Sequence, residues 1–169
     1  MIKVRLIILG LSFYLDGLLS IYQSYSLFSF LSFLPLFTIT SLVLIFPYFT
    51  KQKPYLKYCF ILGLFYDVAY TNTLLLNAVV FTLIGILIKC LYFYLNNNFL
   101  NGILINIITI ISYETILYLI LTIVQYLSFN LNTFILMLIS FIITNTIYYA
   151  IIYLTLILLR RILPFKSSI

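Results

Sequence analysis

The chain has no histidine and no tryptophan, only three acidic residues, and charged side chains make up just 7% of its 169 residues. Each shortage excludes something. Without histidine there is no HExxH zinc site and no serine–histidine couple. Soluble domains carry about 25% charged residues, so a chain this poor in charge has no water-facing surface to offer. What is present instead is 65% hydrophobic residues and a mean hydropathy of +1.25, the composition of an integral membrane protein. A helical span takes about 20 mostly apolar residues, so the length suits six short-looped helices and little else. Two cysteines, Cys59 and Cys90, read as unpaired small hydrophobes. The 16 tyrosines and 16 phenylalanines read as lipid-facing bulk and an interfacial belt. No metal or cofactor set is expected.

The net charge of +6 would suggest nucleic acid in a soluble protein, but here the basic residues are confined to segment ends and report topology. Lys3 and Arg5 precede an expected helix one, Lys51, Lys53 and Lys57 follow helix two, and Arg160, Arg161 and Lys166 follow helix six. The positive-inside rule makes all three clusters cytoplasmic, and both termini with them. The first tract has the charged start of a signal peptide, but no small-residue cleavage site follows it, so it reads as a retained helix.

The expected helices span about 6–23, 27–48, 58–70, 74–94, 102–126 and 133–159 in one membrane domain. Residues 58–95 are too long an apolar tract for one helix and barely long enough for two, so the polar run Tyr70-Thr71-Asn72-Thr73 is assigned the turn and the N-cap chemistry of helix four. Helix three is then short. At 1.5 Å per residue it reaches only about 20 Å, which would end it below the outer surface in a protein-lined recess.

Asp16, Asp67 and Glu114 each lie inside a long apolar tract. Three ionised carboxylates at bilayer depth would cost about 8 to 10 kcal/mol in total without partners. Each falls about ten residues along an outward-running helix, so all three are expected near one midplane level, with Asn145 at a similar depth. No lysine or arginine reaches that level by this count. The expected partners are neutral: Asn77, Asn106, Asn145, Ser112, Tyr66 and Tyr113. Such residues either glue helices or mark a pathway, a relay or an interface. Asp67 and Glu114 are the stronger functional candidates, expected to hold helices three and five together, while Asp16 beside Gly17 serves equally well as glue.

Enzyme motifs are absent. Tyr66-Asp67 matches the Tyr-Asp half of a presenilin-like protease, but the Gly-x-Gly-Asp half is missing, and an aspartyl mechanism needs two carboxyls sharing a proton. The aspartate patterns of lipoprotein signal peptidase are missing too: Phe129-Asn130-Leu131-Asn132 has no acid.

The residues around Asp67 carry a family resemblance. A basic loop leads into Gly63-Leu64-Phe65-Tyr66-Asp67-Val68-Ala69-Tyr70, followed by the polar stretch from Thr71 to Asn77 and then Phe81-Thr82-Leu83-Ile84-Gly85. Leu34-Pro35-Leu36 opens the second helix, and Tyr113-Glu114 lies within the fifth. Across essentially its whole length the chain resembles the bacterial rod shape-determining protein family MreD. Its turn, Thr71-Asn72-Thr73-Leu74, lacks the glycine and proline common there. The resemblance implies a non-enzymatic component of the cell-elongation machinery in the bacterial cytoplasmic membrane. Such a component binds the single-pass scaffold MreC and works with MreB, RodA and its class B penicillin-binding protein. The basic segment from Thr50 to Lys57 would signal topology or touch anionic lipid.

Two other readings are kept. Substrate-binding subunits of energy-coupling-factor vitamin transporters are also small six-helix proteins, but their Ala-x-x-x-Ala pattern is missing from Leu6 to Ile21. A proton-coupled carrier would rest on the acids alone.

Overall fold

Residues 2–25, 36–49, 52–71, 73, 75–126 and 130–162 are described by the computed structural model. Among them every regular element is helical: α1 (Ile2–Tyr25), α2 (Phe37–Ile45) with a 3-10 turn (Phe46–Tyr48), α3 (Gln52–Tyr66) with a π-helical turn (Asp67–Thr71), α4 (Leu76–Tyr94), α5 (Phe99–Ile123) and α6 (Leu131–Ile162). Three are long and apolar enough to cross a membrane: Leu76–Tyr94, Phe99–Ile123 and Leu131–Leu158. This is an all-α chain with the helices of a membrane protein.

Neighbouring helices run antiparallel, as side chains meeting at matched positions show. Ser12 and Asp16 of α1 meet Ser41 and Phe37 of α2, Cys59 and Gly63 of α3 face Gly85 and Ala78 of α4, and Gly102 and Asn106 of α5 face Tyr149 and Asn145 of α6. α2 is the hub, touching α1, α4, α5 and α6, and every one of its nine residues is buried. Its sequence FTITSLVLI is rich in β-branched residues, which are mediocre helix formers. Burial on all sides and caps supplied from other helices hold it helical.

The expected lengths of helices two and three are reversed. α2 starts only at Phe37, after Leu36 with φ −112° and ψ 46°; the rest of the expected 27–48 segment, residues 27–35, lies outside the described residues. α3 starts at Gln52 and continues through the π turn to Thr71, so α3 is not the truncated helix. Pro54 falls in its first turn, where the missing N–H costs no helical hydrogen bond, and the stretch expected as a basic loop is largely that turn. Lys57 is exposed there; Lys51 lies outside the described residues, as do the side chains of Lys53, Arg160 and Arg161.

α5 ends in a Schellman arrangement: Tyr126 N–H donates to the Leu121 carbonyl at 2.9 Å, and Gln125 N–H to that of Thr122 at 3.0 Å. Gln125 takes the left-handed φ of 60° that this geometry requires. α6 opens under Asn130, whose Oδ1 accepts the N–H groups of Asn132 and Thr133.

Candidate functional site

The first turn of a helix leaves N–H groups without intrahelical partners, a serious matter where no water reaches them. In both α2 and α4 those groups are satisfied by an aspartate on the preceding helix. Asp16 accepts Phe37 N–H at 2.8 Å on one oxygen, and Thr38 N–H at 3.0 Å and the Thr38 hydroxyl at 2.6 Å on the other. Asn145 of α6 completes the cap: its Oδ1 accepts Leu36 N–H at 3.2 Å and the Thr40 hydroxyl at 3.1 Å, while its amide donates to the Phe141 carbonyl.

Asp67 does the same for α4. One oxygen accepts Asn77 N–H at 2.9 Å, the Asn77 amide at 3.0 Å and the Thr73 hydroxyl at 2.5 Å; the other accepts Ala78 N–H at 3.0 Å. The expected N-cap chemistry of the polar run is thus indirect. Thr71 and Thr73 bond each other and buttress the carboxylate, and Leu75, the residue at the cap position, contributes no side-chain bond and has a left-handed φ of 63°. Asn72 lies outside the described residues.

The motif spacing has a physical reason. Gly63 and Asp67 are one turn apart on the same face of α3. A Cβ on Gly63 would collide with the Asn77 carbonyl and lie 2.5 Å from Ala78 Cα, so the missing side chain lets the backbones approach closely enough for Asp67 to reach the α4 N-terminus. Ser12 stands in the same relation to Asp16 on α1: its small side chain fits against Ser41 and accepts or donates to the Tyr148 hydroxyl at 2.7 Å.

The acids do not hold helices three and five together. Asp67 binds α4, and Glu114, half-buried on α5, has no hydrogen-bond partner among the described residues. What the three acids share is proximity to Tyr113. The Tyr66 hydroxyl is within electrostatic reach of Asp16 and Glu114, and that of Tyr113 within reach of all three. Of the six neutral partners expected, only Asn77 bonds an acid. Tyr113 donates to Asn77 Oδ1 at 2.8 Å, Asn106 to the Asn145 carbonyl at 3.4 Å, and Ser112 to its own helix.

Several tyrosines are internal struts rather than an outer belt. Tyr55 donates to the Leu42 carbonyl, Tyr70 to that of Phe13 at 2.6 Å and Tyr92 to that of Val43. Tyr66 packs between Phe13, Tyr70 and Phe81. Sequence reasoning missed Ser12, Thr38, Tyr70 and Tyr148, whose hydroxyls carry no charge and no periodic signal to mark them. A cavity of about 150 Å³ opens at the other end of α2, lined by Tyr48, Tyr92, Asn97, Tyr149 and Tyr153 among others. Among the described residues no group of three or more His, Cys, Asp or Glu is placed to hold a metal ion.

Comparison with protein-family models, with curated proteins and with solved structures found no match for this chain. Its chemistry is therefore read from its own geometry. That geometry is built for acceptance: carboxylate and amide oxygens satisfy backbone donors at two helix starts inside the bundle.

Asn145→Leu is expected to destabilise the protein by about 1–3 kcal/mol, because it strands the Leu36 N–H in a dry interior. Thr146→Val, which removes a buried hydroxyl that has no partner, should be neutral or stabilising. Thermal unfolding of both variants in mild detergent checks the pair, and equal losses would refute the cap.

Proposed function

We propose that the chain is a non-enzymatic, multi-pass component of the bacterial cytoplasmic membrane, of the MreD kind, that organises cell-elongation proteins through its helix faces. In this reading six helices enter the membrane, the short α2 among them, and both termini are cytoplasmic, as the basic residues at the segment ends require. One observation carries it: the Gly63-x-x-x-Asp67 unit, on which the resemblance rests, is spent on joining α3 to the start of α4.

An acid used this way shapes the bundle and leaves no carboxylate pair free for chemistry. Asp16 is likewise engaged in full. The described connections between helices are short, so other proteins meet this one chiefly along its helices, where packing and interhelical hydrogen bonds provide the affinity. An MreC-type scaffold is the first partner expected, with RodA, its class B penicillin-binding protein and MreB behind it.

The test is purification of the tagged protein from its native membrane in mild detergent. Recovery of the scaffold or the elongation synthases, together with loss of rod shape on depletion, is the expected result. Recovery of an ATPase pair with a coupling subunit would overturn it in favour of a vitamin-transport component.

A further inference from the structure

Five hydrogen-bonding side chains from four parts of the chain converge on the cavity of about 150 Å³ at the end of α2 away from Asp16. They are Tyr48 of the 3-10 turn, Tyr92 in the last turn of α4, Asn97 in the α4–α5 connection, and Tyr149 and Tyr153, one turn apart on α6. The hydroxyls of Tyr92 and Tyr149 are within hydrogen-bonding reach of each other, and those of Tyr48 and Tyr153 lie within electrostatic reach of both. Ring packing holds them in place: Tyr92 lies on Phe46 at 5.1 Å between centroids, and Tyr153 on Phe99 at 4.9 Å and on Tyr149 at 6.0 Å. Tyr149 fits because residue 102 is glycine, since a Cβ there would collide with its hydroxyl. The carboxylate caps of α2 and α4 use none of these groups.

A phenol hydroxyl both donates and accepts, and a side-chain amide offers both as well. A group that only accepts, such as phosphate, or only donates, such as an ammonium, engages half of that capacity; the neighbouring hydroxyls of a polyol engage both halves. At about 150 Å³ the cavity has the volume of about five waters in the liquid, the scale of a glycerol group or a single sugar. Its position is that of a headgroup. Asn97 is exposed in the connection between α4 and α5, while Leu156 and Ile157 add apolar wall. Ile157 is itself exposed, beside Leu154 and Leu158 on the outer surface of α6, so the cavity borders the surface that lipid covers.

We propose that this cavity takes a polyol group, presented as the glycerol or sugar headgroup of a membrane lipid whose acyl chains lie along α6. The tyrosine hydroxyls and the Asn97 amide recognise the headgroup by two-way hydrogen bonding, and the apolar wall carries the start of the acyl chains. The inference goes beyond the partner-binding reading and rests only on its placement of the chain in a membrane.

The experiment is native mass spectrometry of the tagged full chain, released from mild detergent after incubation with an equimolar mixture of four lipids with identical acyl chains: phosphatidylglycerol, glucosyl diacylglycerol, phosphatidic acid and phosphatidylethanolamine. One phosphatidylglycerol or glucosyl lipid should stay bound, about tenfold more often than either of the other two. Tyr153→Phe keeps the ring and removes one hydroxyl, so retention should fall about three- to tenfold with unchanged melting. Ile157→Trp, which narrows the cavity from its exposed side and spares every hydroxyl, should lower retention as much. Tyr126→Phe, at the exposed end of α5, is the control and should change nothing. Retention of phosphatidic acid equal to that of phosphatidylglycerol would show charge alone at work and overturn the proposal. Equal retention of all four lipids, indifference to both Tyr153→Phe and Ile157→Trp, or binding of free glycerol or glucose at a site that no lipid enters would overturn it too. Because no other protein takes part, failure to recover elongation proteins leaves this inference standing, and a failed lipid result leaves the partner reading standing.

Discussion

Asp67→Leu is expected to destabilise the protein by about 3–5 kcal/mol, the sum of two buried backbone N–H groups left without an acceptor and a lost cap. The donors at risk are Asn77 N–H and Ala78 N–H, 2.9 and 3.0 Å from the carboxylate. Both donors are buried, so leaving them without an acceptor carries the desolvation penalty. Asp67→Asn retains one acceptor oxygen, but sets an amide donor against whichever N–H the other oxygen served, so its cost should be smaller, about 1–3 kcal/mol. Since whole domains are stable by only about 5–15 kcal/mol, the leucine variant should lose much of its folded population. Thermal unfolding in mild detergent gives the order, and an unchanged melting temperature for leucine, or a milder effect than for asparagine, would refute the cap. In the cell the same order should appear in rod shape, because in this reading the carboxylate works by building the bundle.

The second large effect concerns a residue with no side chain. Gly63→Val would put Cβ 2.5 Å from Ala78 Cα, with the Asn77 carbonyl closer still. Both obstacles are backbone, so neither can rotate away. α3 and α4 must separate, and Asp67, one turn on, then loses its reach to the α4 N-terminus. Overpacking of this kind costs about 1–3 kcal/mol, and the broken cap adds about as much again. Gly10→Val on the exposed face of α1 is the control: nothing lies within 4 Å of its would-be Cβ, and the change should stay within about 0.5 kcal/mol. A double variant of Gly63 and Asp67 tests whether they form one unit. Its loss should fall well short of the sum of the two single losses, because either change alone already removes the cap. Full additivity would mean that the spacing is coincidental.

Much of the architecture was legible in the chain. Apolar runs longer than a span and almost without charge could only be buried helices, and α4, α5 and α6 lie close to where the hydrophobic tracts placed them. The three acids also stood out, because ionisable groups are rare in such tracts and must be accounted for. α2 was not legible. Leu34-Pro35-Leu36 marked an opening, but the apolar tract runs on uncharged on both sides of it, and the start at Phe37 is fixed by caps from Asp16, 21 residues earlier, and from Asn145, 109 residues after Leu36. Asp67 and Glu114 looked alike for the same reason.

Composition and the spacing of charge decided what this protein is made of: helices for a bilayer, with three carboxyl groups in tracts that exclude water. The tertiary structure decided what each carboxyl does. A hydrogen bond needs its donor within about 3 Å, and which donor comes that close depends on how helices far apart in sequence pack. By that packing Asp16 and Asp67 became caps of two helix starts, while Glu114 has no hydrogen-bond partner among the described residues.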